Sequence, residues 1–161
     1  MILWVSEMLI KNKKFIFAVL LIGCVLAGYV LWLSLRPIEI VAVHQRNHYS
    51  DILVRDFPVT EKGRINWWLK NKGMLTGKFD IPKPDEDGFY SVIFWDFGEG
   101  YKETDGYDRI CFDDMKTEIN CIDKNSLMMV VYSKNTGLYF RMNSGKYYLR
   151  DNGVMEKRRY E

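Results

Sequence analysis

The chain has 161 residues, which is room for one compact domain and an additional anchor segment. Its formal net charge of +2 is too small to indicate nucleic-acid binding, and the sequence contains no basic–aromatic RNA-recognition motif. Hydrophobic residues make up 48% of the chain but are concentrated near its N-terminus. We therefore expect a membrane anchor followed by a single globular domain.

An uncharged, apolar run extends from residue 15 to residue 35. A helix of this length is about 31 Å long, which matches the roughly 30 Å hydrocarbon core of a bilayer. Thirteen of its residues are Phe, Ile, Leu or Val, and Pro37 follows shortly afterwards and stops a helix. The run therefore predicts a transmembrane helix over residues 15–35.

The charges on either side of this run predict its orientation. Three lysines within residues 11–14 precede it, whereas Arg36 alone follows it closely. Because cytoplasmic flanks carry the excess of Lys and Arg, we expect residues 1–14 in the cytoplasm and residues 38–161 across the membrane. In a Gram-negative cell that side is the periplasm, and the predicted location is the bacterial inner membrane.

A lipoprotein signal is the alternative interpretation of the same segment. The sequence LIGC at residues 21–24 fits a lipobox and would make Cys24 a lipidated N-terminus. The eleven residues after Cys24 stay apolar, whereas a mature lipoprotein normally continues into a polar tether, so an uncleaved span is favoured. Both interpretations place the globular domain on the same side of the membrane. Met1 and Met8 both stay open as the start of the chain.

The remaining residues predict an α+β domain. Thr60 is a suitable N-cap for a helix that runs to about residue 72, where Gly73 suits the C-terminus. The run FYSVIFWDF at residues 89–97 is the strongest strand signal. Further strands are expected at residues 38–44, 51–57, 108–112, 118–123, 127–133, 138–142 and 146–150. We expect an antiparallel sheet with one main helix packed on it.

Cys111 and Cys121 flank a polar turn between two short predicted strands. In an oxidising compartment, two cysteines across such a hairpin favour a disulfide, which adds roughly 2–3 kcal/mol by restricting the unfolded chain. A redox pair or a metal site is the alternative, but the spacing matches neither C-x-x-C nor a zinc pattern. We therefore predict a structural disulfide, no metal and no cofactor.

The tract WDFGEGYKETDGYDRICFDD, residues 95–114, is strongly acidic. Seven carboxylates oppose two basic residues, which gives a local net charge of −5. The simplest interpretation is a solvated loop between strands, and the functional one is a docking surface for a basic partner. Calcium binding and carboxylate-pair hydrolysis are weaker alternatives, because no calcium-loop pattern occurs and a sequence does not define a cleft. The candidate partner-binding carboxylates are Asp96, Glu99, Glu103, Asp105, Asp108, Asp113 and Asp114.

Trp67 is a further candidate for partner binding. If its neighbour Trp68 faces the core, Trp67 points about 100° away around the helix, and an exposed Trp often anchors an interface. The alternative is that a sheet edge or a loop covers it. His44 and His48 are expected to be ordinary polar residues, because they could share a metal only if the segment between them were helical, and it has a strand pattern.

Several segments of the sequence resemble a known family. The resemblance rests on LWLSLRPIEIVAVH, GRINWWLKNK, VIFWDFG and especially YKETDGYDRICFDDMKTEINCIDKN. These segments are similar to domain of unknown function 943, a family of small enterobacterial membrane proteins, from Met8 onward. The resemblance implies an envelope protein of Enterobacterales, and it brings no catalytic residues.

Three functional hypotheses follow from these observations. The first is a membrane-tethered periplasmic domain that binds an envelope or toxin protein, and an immunity-type inhibitor of an envelope-acting toxin is one such protein by analogy. The second is a structural or assembly subunit of an envelope complex. The third, a periplasmic hydrolase, is weakest because no G-x-S-x-G, H-E-x-x-H, Walker or dinucleotide motif is present. We therefore expect a protein that is not an enzyme.

Overall fold

The structure, a computed structural model, describes residues 2–106 and 108–160, with side chains from residue 12 onward except at position 34. The prediction about the start of the chain concerns Met1, which lies outside these residues. The chain divides into two units, Met1–Pro37 and Ile38–Glu161.

The first unit contains helix α1, Ile2–Ser34. Its segment Asn12–Leu33 has a mean hydropathy of 2.6 and none of it is buried within the structure, so the helix is long and apolar enough to cross a membrane. The predicted N-terminal apolar helix is therefore confirmed, although it begins well before residue 15. An uncleaved span and a signal sequence share this length and composition.

The second unit is built on a seven-stranded sheet, which we call the main sheet. Its strands lie in the order β1-β2-β3-β7-β8-β9-β10. Their bounds are β1 Glu39–Arg46, β2 Tyr49–Arg55, β3 Tyr90–Asp96, β7 Ser126–Ser133, β8 Gly137–Met142, β9 Gly145–Leu149 and β10 Met155–Arg158. A smaller sheet has the order β4-β6-β5, with β4 Lys102–Glu103, β5 Arg109–Cys111 and β6 Ile119–Asp123. The α+β class is confirmed.

One pair in the main sheet differs from the antiparallel arrangement predicted from sequence. Strands β2 and β3 are parallel, whereas the other neighbours in the sheet are antiparallel. The reason is that helix α2, Glu61–Phe79, lies between β2 and β3 in the chain and returns it to the same end of the sheet. Strand β10 was also missed, because the charged sequence MEKR carries little strand signal.

Helix α2 begins where the sequence indicates and ends later. Thr60 is the N-cap, and its hydroxyl accepts a hydrogen bond from the Gly63 amide at 3.1 Å. The predicted end at Gly73 is wrong, because the helix continues to Phe79 and is capped by Asp80 in the left-handed region. Leu75 in this extension is fully buried. Burial of its side chain outweighs the roughly 1 kcal/mol that a glycine costs inside a helix.

Two apolar clusters lie on opposite faces of the main sheet. Helix α2 covers one face, where Trp68, Phe94 and Phe140 are fully buried. The smaller sheet covers β1, β2 and β3 on the other face, through a cluster that contains Leu53, Trp95, Phe97, Phe112 and Ile122. The domain therefore has three layers on the β1–β3 side and two on the β8–β10 side.

Candidate partner-binding site

Most of the candidate carboxylates belong to the smaller sheet and its loops. We call residues 96–125 the acidic unit. Its strands β5 and β6 are antiparallel, with Cys111 directly opposite Cys121. The predicted disulfide between these two cysteines is confirmed. It joins the strands in register, so the loops at both ends of the hairpin are held by a covalent link.

A buried histidine connects the acidic unit to the main sheet. His44 on β1 is 7% exposed, and its ring stacks on Phe112 with centroids 3.9 Å apart. Its Nδ1 lies 2.7 Å from an Asp114 carboxylate oxygen and its Nε2 lies 2.9 Å from the Tyr101 hydroxyl. In the neutral ring, Nδ1–H donates to Asp114 and Nε2 accepts from Tyr101. Asp114 therefore has a positioning role within the unit in addition to its charge.

Tyr101 and Asp51 complete this polar cluster. Burial raises the pKa of the Tyr101 phenol, and the Asp114 carboxylate adds to the increase, so the phenol keeps its proton. Burial also raises the pKa of Asp51, while the indole N–H of Trp95 donates to it at 2.7 Å and opposes the increase. Each polar group of this cluster thus has a partner on another strand or loop, and these bonds fix the acidic unit in one position.

The exposed carboxylates of the acidic unit are paired in part. Lys102 forms ion pairs with Glu99 at 2.9 Å and with Asp123 at 2.6 Å. Arg109 lies 3.4 Å from both Asp105 and Asp123. The hydrogen bond from Lys102 lowers the pKa of Asp123, and the same bond raises that of Lys102. These pairs stiffen the surface of the unit and leave its net charge negative.

The remaining predicted carboxylates differ in their surroundings. Asp108 pairs with Lys124 at 2.7 Å, and Asp96 accepts bonds from the Gly98 amide and from Asn125. Among the described residues, the carboxylates of Glu103 and Asp113 lie within ion-pair distance of no cation. Both are exposed. They are the two predicted site residues that are best placed to meet a basic partner.

Trp67 lies apart from these carboxylates. It is half-buried on α2 and packs edge-on against Phe57 and Phe94, with centroids 5.4 and 5.7 Å away. Because α2 and the acidic unit cover opposite faces of the main sheet, Trp67 and the acidic tract form no common patch. The predicted site residues therefore lie in two separate places, with Trp67 on the α2 face and the carboxylates together on the opposite face.

The space beside His44 is small. A cavity of about 30 Å³, lined in part by His44, Asp51, Phe112 and Asp114, has the size of one water molecule. His48 lies elsewhere, with its ring against Tyr49 and Phe89. In the part of the chain that the structure describes, no group of three His, Cys, Asp or Glu residues is placed to hold a metal ion. The His44 cluster thus has room for structural contacts and for a water molecule.

The roles of His44 and Tyr101 were not predicted from the sequence. The two residues are 57 positions apart in the chain, and Asp114 is 70 positions from His44. The one available signal was a histidine within a strand of β-branched residues, IEIVAVH, where burial requires a polar partner. The sequence does not identify that partner.

Comparison with known proteins gives one match over almost the whole chain. Among curated proteins and among solved structures, no significant match was found. One family model matches residues 9–159, which include the apolar helix, the main sheet and the hairpin with its two cysteines. The chain therefore belongs to the family described as "Enterobacterial putative membrane protein (DUF943)".

Proposed function

We propose that this chain is a single-pass inner-membrane protein whose globular domain lies in the periplasm and binds another protein without catalysing a reaction. Three observations support the location. The helix Asn12–Leu33 is apolar enough to span a bilayer, lysines precede it, and a disulfide joins two strands of the domain. Disulfides persist in oxidising compartments, and in a bacterium with two membranes that compartment is the periplasm.

The acidic unit is the observation that carries the binding function. Its residues 96–114 hold a net charge of −5 on a frame fixed by a disulfide, by an apolar cluster and by the bond from His44 to Asp114. A rigid frame loses little conformational entropy on binding, and a concentrated charge attracts a partner of opposite sign. Such a surface suits a basic protein of the envelope.

Affinity capture from solubilised envelopes tests this function. We expect the wild-type chain to retain specific envelope proteins, and the double reversal Glu103→Lys with Asp113→Lys to lose them. The matched control reverses two exposed carboxylates outside the acidic unit, Glu86→Lys with Asp151→Lys, and should retain the binders. Equal retention by both variants would contradict docking through the acidic unit.

An immunity-type inhibitor is the specific form of this function that we propose to examine first. Inhibitors commonly use carboxylates to cover the basic rim of a toxin's active site, and the acidic unit has that chemistry. Deletion of the gene should sensitise cells to a toxin delivered by sibling cells, and the wild-type gene should restore protection. Protection by the Glu103→Lys and Asp113→Lys variant equal to wild type would contradict this form.

The membrane anchor offers a separate test. An inhibitor that acts through its periplasmic domain should function with an unrelated transmembrane helix in place of residues 15–35. A subunit that depends on helix packing inside the membrane should lose function after the same exchange. Protection that survives the exchange supports the binding domain as the functional part.

A further inference from the structure

The face of the main sheet opposite α2 carries a row of cations beside the acidic unit. Arg141 on β8 lies directly opposite Lys146 on β9, and Lys146 lies directly opposite Arg158 on β10. Paired residues in neighbouring strands point to the same face, so the three side chains form one line across the sheet. We call Arg141, Lys146 and Arg158 the basic row.

The basic row is short of negative charge. Like charges directly opposite each other in a sheet repel, which is unfavourable unless a counter-charge is near. Glu156 pairs with Arg158 at 2.9 Å and also with Arg150. Among the described residues, Arg141 and Lys146 have no carboxylate within ion-pair distance. The row therefore attracts an acidic partner from outside the molecule.

An open groove adjoins the row at Arg141. It has a volume of about 400 Å³, and its walls include Trp95, Met129 and Tyr160. The Tyr160 side chain is 46% exposed, and the Arg141 guanidinium lies 6.0 Å from its ring centroid. Arginine, aromatic residues and methionine are enriched in protein interfaces, so the groove has the composition of a docking site.

The acidic unit presents a feature that complements this groove. Glu103 on β4 lies directly opposite Ile119 on β6. Ile119 is 51% exposed, and Glu103 is one of the carboxylates without an ion pair among the described residues. An unpaired carboxylate and an exposed apolar side chain are therefore neighbours on the surface. Arg141 and the walls of the groove offer the opposite charge and an apolar environment.

We propose that two copies of this chain associate through this face, with Glu103 and Ile119 of each copy against Arg141 and the groove of the other. The acidic unit and the basic row lie side by side on one face, so a twofold axis between them places each on its complement and closes the assembly. The inference rests on the proposed function, because it uses the acidic unit as a docking surface, and it names the partner as a second copy.

The shape of the face favours a second copy over a flat anionic bilayer. The acidic unit is an extra sheet layer, and stacked sheets lie about 10 Å apart. A flat surface in contact with the acidic unit would remain about that far from the basic row. A gap of about 10 Å is close to the Debye length in physiological salt, so the attraction would be largely screened. A second copy has its own acidic unit, which projects in the same way and fills the gap above the basic row.

Sedimentation of the full chain in neutral detergent micelles tests the proposal. All variants carry Cys24→Ser, so that no disulfide forms through the anchor. We expect a concentration-dependent dimer. Its dissociation constant should increase about tenfold or more in Arg141→Glu and in Glu103→Arg. The combined variant, Arg141→Glu with Glu103→Arg, should restore most of the association because the charges are exchanged.

Two further reversals serve as matched controls. Lys70→Glu on the exposed side of α2 and Glu86→Arg in the turn before β3 should leave the dissociation constant unchanged. Circular dichroism should show that every variant folds. Vesicles of anionic phospholipid test the alternative of a lipid surface. The proposal would be overturned if the chain stayed monomeric at all concentrations and Arg141→Glu, alone among the variants, changed binding to these vesicles.

The outcomes separate this proposal from the proposed function. A chain that stays monomeric, or a combined variant that associates no better than the single ones, overturns self-association. If the same monomeric chain still captures envelope proteins through Glu103 and Asp113, the proposed function stands without the second copy. The opposite result is also informative. If capture of envelope proteins does not depend on Glu103 and Asp113, while the dimer forms and the combined variant restores it, the second copy remains as the partner and the toxin hypothesis is removed.

Discussion

The two faces of the main sheet are stabilised in different ways. Under α2, a continuous cluster of large side chains, with Trp68, Phe94 and Phe140 fully buried, excludes water along the sheet. On the other face, the acidic unit is attached through a smaller cluster and the bonds of His44, and a disulfide joins two strands within the unit. The stability of the fold therefore depends mainly on the α2 face, whereas the charged surfaces lie on the face that depends on covalent and polar links.

The largest expected effect comes from the α2 face. Trp68→Ala should lower the free energy of unfolding by about 3–5 kcal/mol, because it leaves a cavity among buried aromatic rings. The loss should lie at the lower end of this range, since the indole N–H of Trp68 has no hydrogen-bond partner among the described residues. Denaturant titration checks this, with Asn66→Ala on the exposed side of α2 as the control. A loss below about 1 kcal/mol would contradict the importance given to this face.

Removal of the disulfide should have the next largest effect. Cys111→Ser with Cys121→Ser should cost roughly 2–3 kcal/mol, because the unfolded chain regains the entropy of a short open loop. Hydrogen exchange should accelerate in β5 and β6 while the strands under α2 keep their protection. Uniform acceleration across the whole domain would show that the two faces are not distinct in stability. Cys24→Ser should change neither region, because Cys24 lies in α1.

His44 should contribute somewhat less. His44→Ala removes the ring that stacks on Phe112 and leaves Tyr101 and Asp114 without their partner, so we expect a loss of about 2 kcal/mol. Most of the resulting acceleration of amide hydrogen exchange should appear in the acidic unit. His48→Ala is the matched control, because in the part of the chain that the structure describes the His48 ring packs against Tyr49 and Phe89 and its side chain forms no hydrogen bond. Equal effects of the two variants would refute the role given to His44.

The smallest expected effect concerns acid stability at the α2 face. Hydroxyls of Ser144 and Tyr147 donate to Glu61 and lower its pKa from the ordinary 4.5 to about 2. The unfolded chain thus binds more protons between these pH values, so the stabilisation is complete above about pH 4.5 and is lost as pH falls towards 2.

The variant Glu61→Gln tests this linkage. It should lose about 1 kcal/mol at neutral pH, since the side chain is partly exposed and solvent screens its interactions. Its stability should decline less steeply than that of wild type between pH 5 and pH 2. Glu86→Gln, in an exposed turn, should follow the wild-type curve. Parallel curves for wild type and Glu61→Gln would exclude the proposed bonds.

Local features of this fold could be predicted from the sequence. The N-cap at Thr60, the strand at FYSVIFWDF and the cysteine hairpin each depend on a few neighbouring residues, and each is present. The end of α2 was misjudged because Gly73 is a local stop signal, whereas burial of Leu75 is a tertiary effect.

Non-local features could not be predicted in the same way. The basic row exists because Arg141, Lys146 and Arg158 occupy matching positions on three strands, and that register is set by the turns between them. The cluster around His44 brings together residues from β1, the loop before β4 and the loop after β5. No spacing between these residues in the sequence indicates that they meet in the fold.

Thiol accessibility in living cells tests most directly whether the domain lies in an oxidising compartment. In the Cys24→Ser variant with its native anchor, cells are quenched with acid, denatured and treated with a maleimide–polyethylene glycol reagent. We predict no added mass before reduction and two added polymers afterwards, because Cys111 and Cys121 stay joined if the domain is exported, as we propose. Two added polymers before reduction would place the domain in the reducing cytoplasm and contradict the account.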